Sequence, residues 1–167
     1  MSDSWKIIET LPNEEHCNAL LEMIKELAEY EKMPHSCKLS ISDLQTHLNN
    51  KRFISYLAQF DGIFVGYLLA YYAYSTWTGP FFHMEDLYVR PQHRAKGIGK
   101  ALWRILAKRA VDESHAKMEW NVLNWNQPAI EFYKSMGAFD LEETEGWLTY
   151  RLLPSEIHRL AAGGEEK

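Results

Sequence analysis

The sequence predicts an α/β (α+β) fold, a mixed and mostly antiparallel sheet with helices on both faces. Three observations predict it. Two β-rich runs, Phe53 to Phe60 and Ile63 to Tyr74, are joined by Asp61-Gly62, the dipeptide favoured in tight two-residue hairpins. Cys17, Leu20, Leu21, Ile24, Leu27 and Ala28 recur at three- and four-residue spacing, which makes one apolar helix face. A further strand, Phe81 to Val89, runs through a glycine-bearing turn into a helix starting at Gly97. Antiparallel strands first and a strand-helix-strand unit later require a mixed sheet.

The elements follow in order. Trp5 to Thr10 reads as a first strand, and Asn13 caps a helix with Glu14 and Glu15 in its first turn, ending near Tyr30 and Glu31. Ser42 with Gln45 forms a capping-box signature for a short helix through Leu48. The hairpin comes next, and the Thr78-Gly79-Pro80 break precedes the strand from Phe81, which Pro91 ends. Ile98, Ala101, Leu102, Ile105 and Leu106 share one face of the helix that runs from Gly97 to about Glu113. Met118 to Leu123 is another strand; Asn126 caps a helix with Pro128 in its first turn and Gly137 past its end. Phe139 to Leu153 reads as one or two closing strands around Glu145-Gly146, and residues 163–167 as a frayed tail. No repeat or linker divides the chain, so 1–167 is expected to be one domain.

Composition narrows the function. A net charge of −5 argues against broad capture of nucleic acid and suits small cationic partners. No apolar run is long enough for a membrane span or a secretory signal core, and only Cys17 and Cys37 are present, so a cytoplasmic location is expected. Neither cysteine is assigned to catalysis; Cys17 falls on an apolar helix stripe and reads as core. No metal site is expected.

The most informative segment runs from Arg90 to Lys100, where a strand enters a basic turn and then a helix. A helix N-terminus exposes unpaired N–H groups and partial positive charge, and Gly97 and Gly99 allow close approach of a pyrophosphate. Arg94, Lys96 and Lys100 add charge to this anion cradle. Arg94-x-x-Gly97-x-Gly99 resembles the coenzyme A signature of the GNAT acetyltransferases. The resemblance extends through Lys25 to Glu31, Glu85-Asp86, Trp125 to Pro128, Phe132 to Lys134 and Glu145 to Trp147, which look like the diamine acetyltransferase subfamily.

The resemblance implies an acetyl-coenzyme A-dependent N-acetyltransferase acting on a small amine by direct attack in a ternary complex, and a homodimer. It implies coenzyme contacts from Leu87, Tyr88 and Val89, from the loop Arg94, Ala95, Lys96, Gly97, Ile98, Gly99 and Lys100, and from Asn126 and Tyr133. Tyr133 is then the general acid. A phenol and a thiol differ by about 1.5 pKa units, so proton transfer to the departing thiolate is uphill by only about 2 kcal/mol. The amine falls to Glu31, Glu85 and Glu145, with Tyr30, Trp77, Glu119, Trp120 and Asn121 around it.

Strand alternation places Asp86 opposite Glu85, which leaves one of the pair open to a structural role. Carboxylates that bind an ammonium also hold its proton, and the amine must lose that proton before it attacks. Glu85 is therefore the expected base, directly or through water. Ser75, before Thr76-Trp77, departs from the spermidine/spermine branch, which has an acidic residue there, and resembles the thialysine Nε-acetyltransferase branch. Thialysine or a related lysine-like amine is thus the expected substrate, with polyamines the alternative. A non-catalytic coenzyme A-binding module is the alternative of a different class.

Overall fold

The computed structural model describes residues 5–163, so residues 164–167 of the expected tail lie outside the described residues. The chain forms two compact units divided between Leu123 and Asn124. The first unit holds β1 (Trp5–Glu9), α1 (Glu14–Tyr30), α2 (Ile41–Asn49), β2 (Ile54–Phe60), β3 (Ile63–Ser75) and β4 (Gly79–Val89). A 3₁₀ turn at Pro91–His93, α3 (Ile98–Asp112) and β5 (Met118–Trp120) complete it. The sheet order is β1-β2-β3-β4-β5, antiparallel except for the parallel pair β4 and β5.

Local chemistry explains these elements. Asn13 accepts a hydrogen bond from the His16 amide and starts α1. The β2–β3 turn has positive φ at both Asp61 and Gly62, the combination that a type I′ hairpin needs. Pairing of Phe60 with Ile63 confirms the two-residue loop.

Helices cover both faces of the sheet. On one, Leu20, Leu21 and Met23 of α1 and Leu44 of α2 pack with Leu57, Tyr67 and Tyr88. On the other, Arg109 of α3 reaches the hydroxyls of Tyr56 and Tyr72, the neighbouring parity on β2 and β3. Cys17 is fully buried in the first cluster, as its helix stripe implied.

One clamp ties α1 to the end of β4. The Arg90 guanidinium donates to both oxygens of Glu26, at 2.7 Å for the shortest contact, and to the Phe64 carbonyl. The Tyr88 hydroxyl donates to the same carboxylate.

Several expectations are corrected. The capping box is Ser40 with Asp43, two residues before the Ser42-Gln45 pair, because the Asp43 carboxylate accepts from the Ser40 amide while the Asp43 amide donates to the Ser40 hydroxyl oxygen. β4 starts at Gly79; Pro80 is accommodated because β5 pairs only from Phe82 onward and asks no N–H of it. β5 stops at Trp120 rather than Leu123.

The second unit holds α4 (Gln127–Ser135), α5 (Leu141–Glu145) and α6 (Pro154–Ala161). No strand forms between Phe139 and Leu153 among the described residues. Asp140 accepts from the Glu142 and Glu143 amides and nucleates α5, which Gly146 ends in the left-handed region. Among the described residues no helix is long and apolar enough to cross a membrane.

Candidate active site

The first unit contains a cavity of about 370 Å³ between the C-terminal part of α1, the α1–α2 connection, α2 and the middle of the sheet. Glu31, Glu85 and Asp86 all line it. The sequence reading placed Glu85 and Asp86 on opposite faces, and a β-bulge overturns that. Leu69 pairs with Asp86 and Ala70 with Met84, so Glu85 is an extra residue without a partner on β3. Such a bulge breaks the two-residue alternation and re-aims a side chain, and here both carboxyls reach one cavity.

The three carboxyls differ in environment. Asp86 accepts a 2.9 Å hydrogen bond from the hydroxyl of fully buried Tyr67. Burial pushes the Asp86 pKa up to about 6; the Tyr67 bond opposes this, and the charges of Glu85 and Glu31 add to it. Burial, then the charge of Glu85, raises Glu31. The result is an acidic wall that favours a cation and holds one carboxyl poised to change protonation near neutral pH.

Beside this wall the sheet opens. β5 pairs with β4 only over Phe82, His83 and Met84, and among the described residues no strand continues that edge from Glu85 to Val89. The Arg90 amide donates to Val65 on β3, and backbone polar groups alternate sides along a strand. Leu87 and Val89 therefore turn theirs away from β3, toward the open edge. Gly66 allows β3 to approach here, because a Cβ there would lie 2.8 Å from the Tyr88 carbonyl oxygen.

β4 leads into the basic turn. Gly97 sits at φ 80°, at the N-cap of α3. A Cβ there would meet no atom within 4 Å, so the glycine is required for its left-handed backbone rather than for local space. The first intrahelical bond is donated by Ala101 to Gly97, which leaves the amides of Ile98, Gly99 and Lys100 at the helix start for an anion. Arg94 donates from Nε to the Val89 carbonyl, with its guanidinium over the rings of Tyr30 and Tyr88. Lys96 lies over the Phe60 ring, and Ala95 takes a positive φ. This loop suits a pyrophosphate group through its amides and its cations.

The other residues read from the sequence belong to other elements. Glu119 and Trp120 are on β5 and Asn121 follows it; Glu119 pairs with Lys117, and Trp120 packs edge-on against Trp103. Trp77 lies in the β3–β4 turn, 82% exposed. Ser75 accepts from the Trp77 and Thr78 amides and so shapes that turn. In the second unit, Asn126 occupies the N-cap position of α4, Tyr133 lies within α4, and Glu145 accepts from the Trp147 indole.

Tyr67 and Gly66 escaped the sequence reading. Gly66 carried a signal, as a glycine inside a strand pattern. The Tyr67–Asp86 bond carried none, since it depends on the bulge.

Comparison with known proteins agrees with this geometry. Residues 18–138 match the acetyltransferase (GNAT) family. The chain is 39% identical over 158 residues to a thialysine N-epsilon-acetyltransferase of Caenorhabditis elegans, covering 95% of this chain and 98% of the relative. It is 37% identical to the protein of that name in Mus musculus, covering 89% and 93%. Among solved structures, an integron cassette protein from the mobile metagenome of V. cholerae superposes with a TM-score of 0.74 at 25% identity, covering 95% and 98%. A family match over most of the chain, joined to the open β4 edge and the amide-bearing turn, makes the conclusion plain: the chain belongs to the acetyltransferase (GNAT) family and is an acetyltransferase.

Proposed function

We propose that the protein transfers an acetyl group from acetyl-coenzyme A to the primary amine of a small molecule, preferably thialysine or a related lysine-like amine. The observation that carries this reading is the cavity whose acidic wall, Glu31, Glu85 and Asp86, adjoins the unpaired edge of β4. The α3 amides, Arg94, Lys96 and Lys100 hold the coenzyme pyrophosphate, and Leu87 and Val89 offer backbone groups along the strand. The bound coenzyme supplies an activated acetyl thioester.

The acidic wall concentrates and orients the ammonium. A carboxylate about 4 Å from a cation is worth roughly 4 kcal/mol at an effective dielectric near 20, before desolvation. Glu85 takes the ammonium proton, directly or through water, so that the neutral amine attacks the thioester without a covalent enzyme intermediate. Tyr133 supplies the proton for the departing thiolate. The chain works as a homodimer in the cytoplasm on this reading, by resemblance to the subfamily.

Thialysine suits the proton balance, because its sulfur lowers the pKa of the reacting amine, and each unit of lowering raises the free-amine fraction about tenfold. The test is thiol release from acetyl-coenzyme A with thialysine, lysine and spermidine near neutral pH. Thialysine should give the highest kcat/KM, and the lysine rate should climb toward alkaline pH. Spermidine as the best substrate would replace this reading with the polyamine one.

A further inference from the structure

The cavity that holds Glu31, Glu85 and Asp86 is not uniformly acidic. Its lining also includes Ser36 and Lys38 from the α1–α2 connection and His47 from α2. Apolar side chains complete it, among them Ile24, Leu27, Leu39 and Phe53. Among the described residues Lys38 forms no ion pair, although three carboxyls share its cavity. His47 stands one helical turn after Asp43, whose charge it faces on α2. The cation left for a ligand is therefore Lys38.

A lining that combines carboxyls, apolar side chains and an ammonium is the complement of a lysine-like amino acid, with a reacting ammonium, a methylene or thioether chain, and a head group that carries a carboxylate. The corresponding diamine brings its second cation to Lys38 without the carboxylate that offsets the same cation in the amino acid. We infer that Lys38, assisted by the Ser36 hydroxyl and by His47, binds the carboxylate of an α-amino acid substrate and so makes the cavity select amino acids over the corresponding diamines. The inference rests on the amine-acetyltransferase reading and deepens it, since it names the residue that reads the substrate's head group.

The charged groups that share the cavity with Lys38 limit its effect: Glu31 from the end of α1, Glu85 and Asp86 from β4, and His47 from α2, the last one turn after Asp43. A ligand carboxylate adds a charge-assisted hydrogen bond to Lys38, which for a partly screened site corresponds to about a tenfold gain in affinity.

The test compares thialysine with 2,2′-thiobis(ethylamine), the same thioether chain lacking the carboxylate, on the full-length protein and on Lys38→Met and Lys38→Arg. The unsubstituted protein should favour thialysine in kcat/KM. In Lys38→Met the KM for thialysine should rise about tenfold with kcat moved far less, while the KM for the diamine should fall. Lys38→Arg should restore thialysine. Equal responses of the two substrates, or no preference in the unsubstituted protein, overturn the inference while leaving amine acetylation standing. Thiol release with neither substrate, nor with any amine of the panel, overturns the functional reading itself and the inference with it.

Discussion

Replacing Asp86 with asparagine isolates what it takes to keep that carboxyl in the cavity wall. The asparagine amide keeps an oxygen for the Tyr67 hydroxyl but has no charge to desolvate. Asp86 has a folded pKa of about 6 against an ordinary 3.8. It binds its proton more tightly when folded, so its contribution to stability is fully present below about pH 3.8 and is lost as pH rises through about 6. The loss relative to a proton-bound carboxyl is small near pH 4 and about 3 kcal/mol near pH 8, from roughly 1.36 kcal/mol per pKa unit. The stability difference, Asp86→Asn minus unsubstituted, should therefore grow by about 2–3 kcal/mol between those pH values. Urea unfolding of both proteins across that range measures it, since titrating groups that do not interact with Asp86 cancel in the difference. Curves that stay parallel would refute the reasoning, because they would mean that Asp86 ionises in the folded protein as it does in water.

Gly66→Ala should lower stability by about 1–3 kcal/mol and Tm by several degrees, since its Cβ meets the backbone Tyr88 oxygen rather than a yielding side chain; thermal unfolding checks this, and an unchanged Tm would deny the close approach. Tyr133→Phe should reduce kcat by roughly 10²-fold with little change in coenzyme affinity, read by steady-state kinetics and calorimetry under conditions where chemistry limits the rate.

What the sequence made legible was what local chemistry decides. Asn13, the Asp61-Gly62 turn and the periodic stripe of α1 each specify their element within a few residues, and the structure has all three. The run from Phe139 misled because Trp147, Leu148, Tyr150 and Leu152 have strand-like spacing, while Asp140 and Gly146 supply a local start and stop for a helical turn instead. Two neighbouring serines, Ser40 and Ser42, compete to cap α2, and only the side-chain geometry at Asp43 selects the first. The candidate site was half legible for the same reason. Glu31 and Glu85 could be named, whereas the pairing of Asp86 with Tyr67 follows from a one-residue irregularity that becomes visible only when β4 is laid against β3. Lys38 sits in a connection with no pattern of its own, and only the folded cavity suggests the role proposed for it.

The Arg90 clamp has a mechanical consequence. Glu26 lies five residues before Glu31, and Arg90 directly follows Val89 at the end of β4, so one bidentate pair joins the helix that leads to Glu31 to the strand that carries Glu85 and the unpaired edge. Both side chains are mostly shielded, at 20% and 35% exposed, so dissolved salt screens this pair less than it would a surface pair. On the proposed reading, the spacing between the attacking nitrogen and the thioester carbon is then set when the polypeptide folds and need not be assembled as each ligand arrives, which removes positional entropy from the reacting pair in advance.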